Sequence, residues 1–378
     1  MPQHTVFAPP AGPPASFAAA RAEALEHAAD LARLAPSVHN TQPWTLVLGD
    51  GHLALRADRS RQLTTLDPHG RELVLSAGAA LFNARVALSA RGWAVQVRRL
   101  PDRDDPDLLA EVRPVPGRPD SELAALEPQV SLRHTNRRRF GPEPVPAALR
   151  RRLTAVVTAE DVQLIDVVTD RQRRLVARLT QDADRIQNAS AAYRAELRHW
   201  TSRSPGDGDG VPPSAVPHVD GRQNDQVPIR DFDTRGAGSL PPETASTTDQ
   251  TLVLLATAAD DTEHWLRAGE AMERLLLELT ALDWQASPLT QPLEDPLTRS
   301  ELRSALSEGA YPQMLLRIGR AAPTTATPRR RRDDVVRNST RAAASPHVDP
   351  QLGRPGRPAD VRPAPHPVSD GRGGTVWP

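Results

Sequence analysis

AGAALFNARVALSARGW (77–93) and AGEAMERLLLELTALDW (268–284) read as one segment written twice. Displaced by 191 residues (268 − 77 = 191), they match at Ala77/Ala268, Gly78/Gly269, Ala80/Ala271, Leu88/Leu279, Ala90/Ala281 and Trp93/Trp284. Ala77, Ala80, Leu81, Ala84 and Leu88 fall on one face of a helix, and the second copy repeats that small-residue face. The tetrapeptide TLVL precedes both copies, at 45–48 and 251–254, so a strand leads into a helix in each half. This spacing predicts an internal duplication whose halves pack on each other as a pseudo-dimer within one chain.

Outward from the repeat, Leu25, Ala28, Ala29 and Ala32 predict a helix at about 17–34, ended by Pro36. TLVL and HLALRA (52–57) flank Gly49-Asp50-Gly51 as a hairpin, and WAVQV (93–97) alternates as a strand. VQLIDVV (162–168) and QMLLRIG (313–319) supply further strands to the second half, giving an α+β sandwich. The expected divisions are a disordered tail at 1–16, a first lobe at 17–125, a second lobe at 126–322 and a Pro/Arg-rich, mostly disordered tail at 323–378. Within the second lobe, 203–250 is too long and too rich in Pro, Gly and Asp for an ordinary connection, and reads as a linker or a functional lid.

Composition excludes several chemistries. With 38 prolines, 22 glycines and 38% hydrophobic residues in 378, the core must be concentrated in the middle of the chain. All 47 basic residues are arginine, so no lysine Schiff base or P-loop lysine exists, and the absence of cysteine removes thiolate nucleophiles, disulfides and cysteine-ligated metals. Residues 329–378 carry ten arginines against five acids, leaving the body at 37 − 42 = −5, a poor surface for nucleic acid. The N-terminus has neither a basic start nor an apolar run, and LVLLATAA (252–259) is too short to span a bilayer, so the expectation is a cytoplasmic protein without a membrane partner. No HxxxH or HExxH spacing occurs among the eleven histidines, and GDGDG (206–210) lacks the acids of a calcium loop, so no metal site is expected.

Two segments carry chemistry. PSVHNTQPW (36–44) is a polar loop stiffened by Pro36 and Pro43, able to present backbone N–H groups, a hydroxyl and amides to a planar heterocycle; it reads equally as an ordinary helix-to-strand turn. RHTNRRRF (133–140) places Arg133, Thr135 and Arg137 on alternate positions of an extended run, a fit for phosphate, or else a solvated charge run. His39 and His134 sit inside these segments and could donate to a ligand or simply face solvent. No nucleophile or general base stands out as catalytic.

Together, APSxxNxQPW ahead of a strand and RxTxRxxF ahead of VP resemble the nitroreductase-like flavoproteins. The order of elements, DGVP at 209–212 and YPQMLLRIG at 311–319 are similar to the single-chain, two-lobed Acg-type branch. That resemblance covers roughly 20–335 and implies a nitroreductase-like sandwich whose two lobes mimic a nitroreductase dimer. It implies one FMN between the lobes, because the two motifs fall in different halves. By the same resemblance Pro36, Ser37, Val38, Asn40 and Gln42 border the isoalloxazine and ribityl side, and Arg133, Thr135 and Arg137 meet the ribityl, phosphate and pyrimidine edge. Ser287, Pro288 and Leu289 in ASPL (286–289) would offer backbone to the ring, and Arg329 and Arg330 in PRRRR (328–332) would reach the phosphate. The implied activity is ping-pong electron transfer from NAD(P)H to an electron-poor small molecule such as a nitroaromatic or quinone, by a chain able to act as a monomer. The alternative implied is a lid-covered FMN store without turnover, with a stress-related role.

Overall fold

The computed structural model describes residues 15–219, 227–241, 251–322 and 324–339, together with two short strands beyond them. Residues 1–14 of the expected N-terminal tail lie outside the described residues. Helix α1 (Ala15–Ala32) leads through the PSVHN loop into a hairpin of β1 (Trp44–Gly49) and β2 (His52–Ala57). The hairpin closes with Gly49 opposite His52, and Gly51 supplies the left-handed conformation that its two-residue turn requires (φ 73°). Then come α2 (Arg71–Ala90), β3 (Ala94–Arg99), β4 (Leu108–Val115) and the short helices α3 (Ser121–Ala125) and α4 (Glu127–Leu132).

The second half contains α5 (Ala147–Thr158), β5 (Gln163–Val167), α6 (Asp170–Ala189), α7 (Ala191–Thr201), β6 (Thr251–Thr257), α8 (Thr262–Ala281), β7 (Gln285–Pro288), α9 (Gln291–Glu294), α10 (Pro296–Leu306) and β8 (Tyr311–Gly319). Among the described residues, four of its six helices, α6, α7, α8 and α10, start where a side chain satisfies free N–H groups of the first turn. Thr169 and Gln172 form a capping box on α6, and Asp261 accepts from the His264 N–H on α8.

The two sheets have one topology. The first runs β3-β4-β2-β1 and the second β7-β8-β6-β5, with all of these neighbours antiparallel. The strand preceding α8 therefore corresponds to β2, and β5 corresponds to β1. This corrects the reading of the two TLVL segments as equivalents, since the first lies in β1 and the second in β6. Their likeness reflects the common demand of buried strands for β-branched and leucine residues.

The helical part of the duplication is held by a contact that obeys the same 191-residue shift. A Cβ at Gly78 would stand 2.9 Å from the Gly269 Cα and collide with the Leu266 carbonyl oxygen. Reciprocally, a Cβ at Gly269 would stand 2.9 Å from the Gly78 Cα and collide with the Leu75 carbonyl. Two glycines thus let α2 and α8 touch backbone to backbone at the centre of the molecule. Nearly all of α2 from Arg71 to Ser89 is buried. That explains an apolar, 20-residue helix long enough to cross a membrane but enclosed by protein here. A buried ion network ties the lobes further. Arg85 reaches Glu160 and Glu270 at 2.6 Å each, Arg99 grips Glu270 at 2.6 and 2.9 Å, and Arg274 meets Glu160 at 2.9 Å.

The expected tail boundary at 323 is corrected. Residues 328–338 pack back on the first lobe, α11 (Arg332–Val335) leads into β9 (Val336–Asn338), and β9 joins β1 in parallel as the fifth strand of the first sheet. Low apolar content concealed this because the segment is held by backbone pairing and by Val335 and Val336, which enter the main core. Residues 341–378 form a separate unit, of which β10 (Val368–Ser369) and β11 (Thr375–Val376) are described, paired antiparallel.

Gly78→Ala is expected to lower unfolding free energy by at least about 3 kcal/mol, at or above the usual cost of overpacking, because the obstruction is backbone. Gly206→Ala, where a Cβ meets nothing within 4 Å, is expected to be neutral. Urea unfolding of the two variants compares them directly.

Candidate active site at the lobe interface

The PSVHN loop is strained where it meets the interface. His39, Asn40 and Gln42 all take the left-handed conformation (φ 46°, 55° and 49°), which non-glycine residues adopt only when their surroundings hold them there. The hold is visible. Ser37 Oγ accepts the Gln42 N–H at 2.8 Å, and Ser76 Oγ on α2 accepts the Val38 N–H at 3.1 Å.

The side chains of Asn40 and Gln42 face chain rather than cavity. Asn40 Nδ2 donates to the Gly210 and Pro328 carbonyls at 2.9 and 3.0 Å. Gln42 Nε2 donates to the Gly208 carbonyl at 2.9 Å, while its Oε1 accepts the Arg330 N–H at 2.9 Å. These two amides clamp the 207–211 and 328–330 segments onto the loop.

A cavity of about 90 Å³ lies beside it, between the lobes. It brings together Pro36, Ser37 and Val38, then Arg133, Thr135 and Arg137, and also Pro288 and Leu289. Asn136 makes that meeting possible: its N–H donates to the Ala286 carbonyl at 3.2 Å and its Nδ2 to the Ala322 carbonyl at 2.9 Å, fastening the arginine segment beside β7. Asn40, Gln42, Ser287, Arg329 and Arg330 are not among the lining residues. Arg329 sits behind Arg133, donating to the Leu34 carbonyl at 2.9 Å, and Arg330 donates to the Gln42 carbonyl at 3.1 Å.

The sequence reading missed the floor and the roof. Glu72, Leu75 and Ser76 of α2 and Met272 and Leu276 of α8 form the floor, on the same two helices that touch at the glycine crossing. Ile229, Arg230 and Phe232 enter from the 203–250 insertion. An apolar pair in an otherwise Pro/Asp/Gly tract was the available signal. Arg230 is buried, bonded to Glu294 Oε1 at 2.6 Å and to His39 Nε2 at 2.6 Å. Arginine only donates, so His39 Nε2 accepts and its proton belongs on Nδ1, a buried atom with no partner. Phe232 lies edge-on to His39 at 5.4 Å and under the Arg137 guanidinium at 4.7 Å. Ile229, Arg230 and Phe232 thus cover one side of the cavity.

Electrostatically the site holds more cation than it balances. Burial, aided by Arg133, pushes Arg329 down to about 9, and burial with Arg230 pushes Arg137 down to about 10. Burial and the nearby arginines also lower His39 and His134, so both rings are neutral near pH 7. Buried Arg133 faces Glu273 at 3.5 Å, yet its Nε makes no hydrogen bond. Unmet donors and surplus positive charge suit an anion.

No family model matches the chain. A Mycobacterium tuberculosis protein named "Putative NAD(P)H nitroreductase Rv3131" is 37% identical over 323 residues, covering 83% of this chain and 91% of the relative. The chain belongs to the nitroreductase family. Its Acg-type character follows from a second relative of that organism, "Putative NAD(P)H nitroreductase acg", 33% identical over 319 residues and covering 83% of this chain and 95% of the relative. Among solved structures, the FMN-dependent nitroreductase NfnB from Mycobacterium smegmatis in complex with NADPH aligns at 16% identity and a TM-score of 0.34, over 58% of this chain and 99% of that one.

In this nitroreductase-family chain, Gln42→Ala leaves the Gly208 carbonyl and the Arg330 N–H without their partner, each such group costing about 1–3 kcal/mol when buried. Hydrogen exchange followed by mass spectrometry is expected to show faster exchange at 207–211 and 328–338, with α2 and α8 unchanged.

Proposed function

We propose that this nitroreductase-family chain is an FMN-dependent NAD(P)H oxidoreductase that holds one flavin between its lobes. The supporting observation is that one cavity gathers Ser37 and Val38, Arg133, Thr135 and Arg137, and Pro288 and Leu289 beside a surplus of buried positive charge. Its donor set fits FMN: the guanidinium groups of Arg133 and Arg137 for a phosphate and a pyrimidine edge, the unpartnered His39 Nδ1, and an apolar floor of Leu75, Met272 and Leu276 for a ring. Arg133, backed by Arg329, would hold the phosphate. Arg137 would set a fixed positive charge at the pyrimidine edge, favouring the anionic reduced form without transferring a proton.

FMN bound there supplies hydride acceptance from NAD(P)H and return of two electrons to an electron-poor acceptor such as a nitroaromatic or quinone, the first product leaving before the acceptor enters. The protein's part is to bind, orient and exclude water. The neutral His39 ring braces Arg230, and Phe232 closes the roof between His39 and Arg137. A second reading, a covered FMN store without turnover, is favoured by that roof, because Arg230 and Phe232 take up space above the floor.

The purified chain reconstituted with FMN is expected to show a bound-flavin visible spectrum that bleaches on anaerobic addition of NADH or NADPH. Arg133→Ala is expected to weaken FMN binding about tenfold or more, since charge-assisted hydrogen bonds are worth about 1.5–3 kcal/mol. A bound flavin that neither nicotinamide bleaches would reject the reductase and leave the store. In that case Phe232→Ala, which opens the roof, is expected to restore bleaching.

A further inference from the structure

A second cleft, about 910 Å³, opens behind the wall formed by the start of α2 and by α9. Pro68, His69, Tyr193, Leu293 and Ser300 are among its lining residues. Glu72 lines both this outer cleft and the inner cavity, and among the described residues it is the one acid that lines the inner cavity. Its side chain is 4% exposed, so one carboxyl stands between a roomy outer cleft and an enclosed reaction site.

The proposed reaction needs such a group. Reduction of a quinone to a hydroquinone by NAD(P)H consumes one hydride equivalent and one proton; the nicotinamide supplies the hydride but not the proton. The other ionisable side chains lining the inner cavity are arginines, which stay charged, and His39 and His134, which burial holds neutral. We propose, resting on the oxidoreductase reading above, that Glu72 is the proton inlet of the site. Its carboxyl O–H bond breaks as an O–H bond forms on the reduced acceptor oxygen, and the carboxylate left behind is reprotonated by water from the outer cleft.

The surroundings of Glu72 poise it for this exchange. Arg71 pairs with it from α2, Asp67 lies at the start of that helix, Glu294 approaches from α9 and Arg230 from the insertion, where His39 binds it. His69 lies on the outer side. Burial is the largest influence and pushes the carboxyl up, with Glu294 and Asp67 adding to it against Arg71 and Arg230; the result is about 7. A carboxyl at that position donates below pH 7 and accepts above it, the range in which proton transfer in both directions is fast.

The test separates the two half-reactions in the FMN-loaded full chain. Flavin is first reduced anaerobically, by NAD(P)H or by dithionite, and its reoxidation by a benzoquinone is then followed from pH 5 to 9. In the wild type the reoxidation rate is expected to fall as pH rises through about 7. In Glu72→Gln it is expected to be about 10²-fold slower and flat with pH. Independently of turnover, infrared spectra of the wild type are expected to lose a protonated-carboxyl band with a midpoint near 7, a band that Glu72→Gln lacks.

Wild-type reoxidation kinetics in Glu72→Gln, or no carboxyl band titrating near neutrality, would overturn the inlet. If dithionite-reduced protein shows the dependence on Glu72 while NAD(P)H reduces nothing, the nicotinamide reading fails and the inlet stands. Should Glu72→Gln lose its flavin, Glu72→Asp decides: it must keep a falling pH profile whose midpoint moves with its own infrared band, and a profile that does not follow the band rejects the proposal.

Discussion

Two glycines, facing each other across the centre of the molecule, set the distance on which everything else depends. With Gly78 and Gly269 at the crossing, α2 and α8 approach to backbone contact, and no side chain of any size can be placed between them. That closeness makes the two lobes one body rather than two domains joined by a linker. It also decides where the cavity forms. Its floor is built from α2 and α8 on either side of the crossing, by Leu75 and Ser76 from one helix and Met272 and Leu276 from the other. The ion network through Arg85, Glu160 and Glu270 does not replace this contact. Buried pairs of that kind penalise separation of the lobes more than they add net stability.

The duplication was legible because close helix packing leaves a strict mark: small residues at fixed positions, repeated wherever the geometry repeats. Gly78 and Gly269 are the clearest case. Strand equivalence left no such mark. TLVL looked like a shared landmark, yet sheet order pairs β2 with β6, since short buried strands draw on the same few residues whatever their position. β9 was invisible for the opposite reason, being held chiefly by main-chain pairing to β1.

For the site, the loop segments were legible and their partners were not. Ser37, Val38, Arg133, Thr135 and Arg137 border one cavity. Asn40 and Gln42 lie in the same motif, but an amide reads identically in sequence whether it meets a ligand or a neighbouring carbonyl, and here both meet the chain. Glu72 stood in plain view at the start of the repeat helix. Nothing in the local sequence distinguishes it from a solvated first-turn glutamate, since burial, the largest influence on it, comes from tertiary packing, and Glu294, which adds to it, is remote in sequence. Arg230 and Phe232 were hidden in a tract whose composition described its exposed parts and not the few residues that turn inward.

The crossing of β9 to the first sheet has a consequence for the order of assembly. The strand that completes the first lobe is synthesised after every element of the second, and the amides of Asn40 and Gln42 wait for Pro328 and Arg330 until then. A chain emerging from the ribosome therefore carries β1 as an open sheet edge, and a loop without its clamp, through the whole of the second lobe's synthesis. The first sheet thus gains its last strand only after the second lobe is complete.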